Sequence, residues 1–507
     1  MSSAEPDKDV TRTAGRGLVS IAFAKVFFIV GSYAVQLVLP RILTPESFGL
    51  YSSALNVVSI LNNVLIVSTV QSVSKFVSEN GPRSGSVLRF GLLVQTGVGL
   101  VAGSALFLGA DGIAQLLYDE RLGPLLRIAS AVVFSYALYA ALVGALNGRH
   151  LFQRQASLDM TFSVLRMGGI LGAAAMGWGA LGAVAGFSAA AVIILLIAIA
   201  WVGFGDSHRD APVTLRRWLV FTAPLWLYHG FLNGLMQIDL ALLKRTIAAL
   251  ALEGGFSPLE AADLASRQAG FYRAAQTFAF VPYQLILSLT FIIFPMIAKA
   301  TAEGDAEVTR RYIRAALRVS TLFLVSIAAP IAGAAAGVMR IAYRDEYLAG
   351  SGALRILVLA MAAFALFVIA ATILTSAGRP FLAAAAAGFA LIVVVAGNIA
   401  FVRWAGLDGG PLEAAATGTA AGTGLALILV AGLLYWQFRT FLPLSTTLRS
   451  AIAGVLAFLA SSAIPHQTAL GALISLAGGF FVFLAALVVT RELGRDDLLV
   501  IRRVLKR

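Results

Sequence analysis

Lys25, Arg166 and Arg273 have the most chemistry to offer in this chain, because each falls inside a long apolar run. By helix rise, Lys25 lies about 12 Å into the first run. Arg166 sits near the centre of the run 157–176, and Arg273 near one end of the run 269–299. A cation against hydrocarbon is costly, so the three are expected to face a shared wet interior. An ammonium and two guanidiniums around a cavity attract phosphate, Arg by bidentate contact and Lys as a point charge. Lys25 has one competing reading, snorkelling to the nearer membrane surface. Arg166 has none as good, since its flanks are apolar on both sides.

Other polar groups share these runs. Asp239 and His229 lie in the run 218–240. Asp239 could pair with Arg273, or take up a proton or a sodium ion. His229 reads more readily as a helix-packing residue than as a proton carrier. Asn56, Asn62 and Gln276 offer neutral hydrogen bonds to sugar hydroxyls, although a static network between helices would use the same amides. Tyr272 could stack on a ring or anchor the membrane interface, and the anchor is preferred. Asp111, Asp119, Glu120, Asp345 and Glu346 sit among charges of both signs and read as solvated loops. No Gly-rich Lys-Ser/Thr phosphate loop and no metal-ligand spacing occur, so no catalytic, ATPase or cofactor role is expected.

The elements that must position these residues are membrane helices. The chain has 507 residues, 59% hydrophobic and only 12% charged, against roughly 25% charged in soluble domains. The net charge of +13 is spread over short loops between apolar runs, which fits positive-inside bias better than nucleic acid. With no cysteine, disulfides and thiolate metal sites are excluded, and four scattered histidines argue against a zinc cluster. The apolar periods predict an all-α integral membrane protein with about fourteen spans. A cytoplasmic tail, 1–16, precedes six spans in 17–202. A polar linker, 203–217, leads to six more in 218–436. Two further spans occupy 450–490, and 491–507 reads as an amphipathic helix on an anionic lipid face. Both termini inside would put most of the 38 Lys and Arg on the inner side.

Three local readings sharpen this plan. Ser257-Pro258-Leu259-Glu260 is a capping box with Pro at the first helical position, predicting a short surface helix over 258–268. Pro224, Pro282 and Pro295 are candidate kinks. Gly168/Gly172 and Gly182/Gly186 are spaced for close helix approach. The two halves also share a weak repeat. FGLYSSALNVV from Phe48 and AGFYRAAQTFA from Ala269 place Gly49 on Gly270, Tyr51 on Tyr272 and Ala54 on Ala275 at one offset. Parallel repeats are a common transporter plan.

Three stretches carry a family resemblance: LPRILTPESFGLYSSALNVVSILNNVLIVSTVQSVSKFVSE at 39–79, QIDLALLKR at 237–245 with AGFYRAAQTFAFVPYQLI at 269–286, and ELGRDDLLVIRRVL at 492–505. Together they resemble polysaccharide biosynthesis proteins, the O-antigen and oligosaccharide flippases of the multidrug/oligosaccharidyl-lipid/polysaccharide exporter superfamily. The resemblance implies two six-helix lobes related by a parallel pseudo-two-fold, with two C-terminal helices. It implies movement of polyprenyl-(pyro)phosphate-linked glycan across the cytoplasmic membrane by alternating access, for cell-surface polysaccharide synthesis. It leaves H+ or Na+ as coupling ion, and glycan polymerase or glycosyltransferases as partners. Leu43, Pro45, Gly49 and Tyr51 match its first turn, Asp239 its acidic position, and Gly270, Phe271 and Tyr272 its second turn. Lys25, Arg166 and Arg273 correspond to its cavity cations by role. A cation-coupled drug or metabolite antiporter of the same superfamily is the alternative.

Overall fold

Thr44 shows how these helices begin. Its hydroxyl accepts from the Ser47 N–H at 3.3 Å, with Pro45 at the first position and Glu46 in the first turn. The computed structural model describes residues 8–205, 213–286, 305–465 and 467–494. Among them are sixteen α-helices, two 3-10 turns and no strand. Eleven helices are long and apolar enough to cross a membrane. The chain is a multi-pass, all-helical membrane protein.

The chain forms two compact units, 1–270 and 271–507. The first holds α1 (Lys8–Ile42), α2 (Pro45–Glu79), α3 (Ser84–Leu108), α4 (Ala110–Leu116), α5 (Leu122–Gly148), α6 (Phe152–Ala175), α7 (Gly179–Val202), α8 (Leu215–Glu253) and the first part of α9 (Pro258–Ala279). Its central helix is α5, whose most apolar stretch is 72% buried, whereas that of α1 is only 22% buried. The helices α6 and α8 are 24 and 39 residues long, yet too polar to count among the eleven. These two carry Arg166, His229 and Asp239.

Two contacts fix the helix arrangement in this unit. α2 and α8 run antiparallel and are joined by polar rungs. Asn56 Nδ2 donates to the Gln237 side chain at 2.8 Å, Asn63 Nδ2 to Asn233 at 2.8 Å, and the Ser72 and Thr222 hydroxyls pair at 2.8 Å. Between helices without water such pairs set register, at roughly 0.6 kcal/mol each. α2 also crosses α9 at glycine: a Cβ on Gly49 would stand 1.7 Å from the Ser266 carbonyl oxygen, and one on Gly270 would stand 2.4 Å from that of Pro45. The two positions matched by the repeat therefore meet each other.

The second unit holds the rest of α9, α10 (Ala306–Gly333), α11 (Ala335–Ala342), α12 (Ser351–Ser376), α13 (Pro380–Ala405), α14 (Pro411–Phe438), α15 (Leu444–Ala463) and α16 (Ala469–Val489). Here α12 is central, with the apolar stretch of 345–376 also 72% buried. Glu492 closes the far end. Its carboxylate accepts from Arg318 Nε and Thr446 Oγ1, both at 2.8 Å, and from Arg449 at 3.3 Å. Burial works to raise its pKa, but these donors hold it below the usual glutamate value. The expected tail helix falls mostly on 495–507, outside the described residues.

Some local expectations change. The capping box forms, with the Ser257 N–H and hydroxyl on Glu260 at 2.9 and 2.7 Å. However, the helix it starts does not stop at 268: α9 continues to Ala279 and halts just before Pro282, while Pro224 lies inside a continuous α8. Residues 287–304, including Pro295, lie outside the described set. The close approach of α6 and α7 uses Gly169 with Gly186, each within 2.4 Å of the other's carbonyl if given a Cβ, and not Gly168 or Gly172, which open onto free space.

Candidate functional site

Arg166 anchors the most chemically loaded part of the first unit. It projects from α6 onto α1, where its guanidinium donates to the Ser32 hydroxyl and stacks on the Phe28 ring at 4.6 Å. The hydroxyl of Tyr136, on α5, is within hydrogen-bonding reach. Phe162 lies below, with ring centroids 6.1 Å from Phe28, 5.4 Å from Tyr136 and 5.9 Å from Tyr139. One helical layer further, Asp159 accepts the Tyr139 hydroxyl at 3.2 Å and lies in the field of Lys25.

Arg166 thus keeps neutral partners and is partly exposed, and Lys25 is exposed two helical turns away on α1. Among the described residues the partners of Arg166 are all uncharged, which leaves it able to give charge-assisted hydrogen bonds to an anion. Sequence reasoning singled out both cations. It missed Asp159, whose only signal was its place seven residues before Arg166, on nearly the same helix face.

A family profile described as polysaccharide biosynthesis protein matches residues 15–301. The chain belongs to the polysaccharide biosynthesis protein family. Among curated proteins, the uncharacterized membrane protein YabM of Bacillus subtilis (strain 168) is 24% identical over 389 residues, which is 72% of this chain and 69% of that one. Among solved structures, lipid II flippase MurJ in its inward closed conformation has a TM-score of 0.73 at 15% identity, covering 94% of this chain and 99% of that chain. An inward-facing multidrug resistance MATE family transporter of the MOP superfamily has a TM-score of 0.61 at 16% identity, covering 83% and 98%. At such identities these likenesses establish the fold.

The remaining candidates of this family member are placed differently. Asn56 is buried, and its amide is committed to Gln237. Asn62 is also buried. Through Gln237, Asn56 takes part in the α2–α8 contact. His229 is half-buried in α8, its carbonyl accepting from Asn233 at 2.9 Å. Asp239 is buried in the same helix and accepts from the Leu240 N–H at 2.8 Å. In the second unit Arg273 donates to Gln276 at 3.3 Å, and Gln276 is buried. Tyr272 is fully buried, so it is no interface anchor.

Asp119 is the largest departure from a solvated loop. It is 2% exposed and accepts Lys244 Nζ at 2.7 Å, Ser266 Oγ at 2.9 Å and Arg121 Nε at 2.9 Å, while Arg121 also binds Asp263 at 2.6 Å. Burial works to raise the Asp119 pKa, but the charge of Lys244 and the hydrogen bonds from Arg121 and Lys244 bring it below the usual aspartate value. Arg121 is correspondingly raised, chiefly by its hydrogen bond to Asp119. Lys244 is fully buried, and the cluster joins the α4–α5 turn to α8 and α9. Nothing local marks this: Asp119-Glu120-Arg121 looks like any charged turn.

Proposed function

We propose that this protein is a flippase that moves a polyprenyl-(pyro)phosphate-linked oligosaccharide across the cytoplasmic membrane by alternating access. The observation that carries the reading is the pair of cations Lys25 and Arg166 on the packed helices α1 and α6, with Arg166 reaching Ser32 and Phe28 of α1. The two bind the substrate's phosphate while the glycan passes along polar helix faces. The polyprenyl tail stays in lipid. Membership of the polysaccharide biosynthesis family supports a glycan cargo, and the fold of a lipid II flippase supports a lipid-linked one. In this reading the lobes are 17–202 and 218–436, both termini are cytoplasmic, and the chemistry is transport without catalysis. Glycosyltransferases and a glycan polymerase are its partners, and anionic lipid meets the tail 491–507.

The test is translocation of a radiolabelled lipid-linked glycan in proteoliposomes, normalised to folded protein. Arg166→Gln and Lys25→Gln should each lose about ten- to a hundredfold in rate, the worth of a charge-assisted hydrogen bond of about 1.5–3 kcal/mol. Wild-type rates in both would overturn the phosphate site and favour a cation-coupled antiporter.

A further inference from the structure

Lys25 and Arg166 differ in what they face. The helices α1 and α6 run parallel in constant register. Arg166 donates to Ser32 across 134 residues of sequence, and Phe162 meets Phe28 at the same offset. That offset also carries Lys25 to Asp159. The helix pair therefore presents two polar layers about 10.5 Å apart by helix rise, separated by the Phe28–Phe162 aromatic layer. The Arg166 layer has neutral partners, Ser32 and Tyr136. The Lys25 layer contains an anion, held in place by Tyr139 at 3.2 Å. Among the described residues, the charged and titratable groups that act on Asp159 are Lys25 from α1 and Tyr139 from α5. α7, the remaining neighbour of α6, carries no titratable side chain.

We propose that Asp159 is an internal competitor for Lys25, holding the ammonium when no phosphate is bound and yielding it when a phosphate arrives. This rests on Lys25 and Arg166 being the phosphate site. A carboxylate and a phosphate are both acceptor-only anions that take the same charge-assisted hydrogen bonds from an ammonium. They cannot share it without placing like charges together. Without substrate the Lys25 layer is therefore self-neutralised, and Arg166 is the group that first captures the anion. Once phosphate occupies Lys25, Asp159 has lost its cation and gained a neighbouring negative charge. Both changes favour its protonated form. By linkage, phosphate binding takes up a proton, and lowering the pH through the Asp159 titration strengthens binding. Tyr139 holds the carboxylate where the exchange can occur, and so acts as a positioning residue.

The experiment measures equilibrium binding of polyprenyl diphosphate N-acetylglucosamine to the full-length protein in nanodiscs over a pH series, together with proton uptake in weak buffer. This probe is a diphosphate diester and keeps its charge across the acidic range. Wild type should bind more tightly as pH falls and take up protons on binding. Asp159→Asn should bind about tenfold more tightly at neutral pH, because the anion that competes for Lys25 is gone. It should also lose both the pH dependence and the proton uptake. Wild-type affinity and uptake in Asp159→Asn, or weaker binding by the folded variant, overturns the competitor role. Tyr139→Phe gives a second readout if Asp159→Asn does not fold. With one donor gone from the carboxylate, the pH dependence should move to higher pH, and no movement counts against the proposal. Failure of the phosphate site is distinguishable, because Lys25→Gln and Arg166→Gln would then bind the probe like wild type.

Discussion

Arg166 is worth more than its charge. A guanidinium packed over Phe28 at 4.6 Å and hydrogen-bonded to Ser32 is held by two contacts, so its fork is partly positioned before an anion arrives. Arg166→Lys keeps the charge and loses the fork, and its transport rate should fall between those of wild type and Arg166→Gln in the same proteoliposome assay. Asp119 makes the opposite case, a residue whose charge serves the fold. Removing it leaves Lys244 buried without its anion, a loss of about 3–5 kcal/mol for a broken buried pair, which a lowered midpoint of thermal unfolding in Asp119→Asn would register. The sign of the pH effect follows from its depressed pKa. Its contribution is complete above the unfolded value of about 3.9 and is lost as pH falls through the lower folded value. The difference between wild type and Asp119→Asn should therefore stay constant down to about pH 4 and shrink only below it.

Helices in this chain are aligned by small residues and single amides. Gly49 and Gly270 let α2 and α9 cross with backbone against backbone. Gly49→Ala would place a methyl 1.7 Å from a carbonyl that cannot swing away, and should abolish folded protein on size-exclusion chromatography. Gly168→Ala, whose Cβ meets nothing, should behave as wild type, whereas Gly169→Ala should be destabilised by roughly 1–3 kcal/mol, the cost of overpacking. The α2–α8 rungs are weaker individually. Each is expected to give about 0.6 kcal/mol in a double-mutant cycle, for instance with Asn63→Ala and Asn233→Ala.

At the level of the whole molecule, the cysteine-free chain suits a topology test. With both termini inside, a cysteine introduced at Pro258 should react with an impermeant maleimide on intact cells. Cysteines at Val213, Asp305 and Val500 should react only after permeabilisation. Labelling of Val213 or Val500 from outside would reverse the orientation. The lobe relation is tested by an experimental structure. Residues 18–202 and 218–436 should superpose by rotation about an axis near the membrane normal, with Gly49 and Gly270 equivalent.

The sequence by itself determined the solvent. Apolar runs of span length, few charges and basic loops leave only an all-helical membrane protein, because backbone polar groups in lipid must bond within their own helix. It determined the capping box at Ser257, whose partners are three residues apart, and it singled out Lys25 and Arg166, because a cation within an apolar run stands out against its neighbours. Asn56 was visible too, with its choice between ligand and packing left open. The pairings were decided only by the tertiary structure. Asp119 found Lys244 across 125 residues, and Asn56 found Gln237 across 181. Asp159 lies in the field of Lys25 only because α1 and α6 pack in parallel register. Gly169 rather than Gly168 touches α7 because a helix turns about 100° per residue, so adjacent glycines face different neighbours. Burial and partnership depend on which helix faces which, and local spacing carries no record of that.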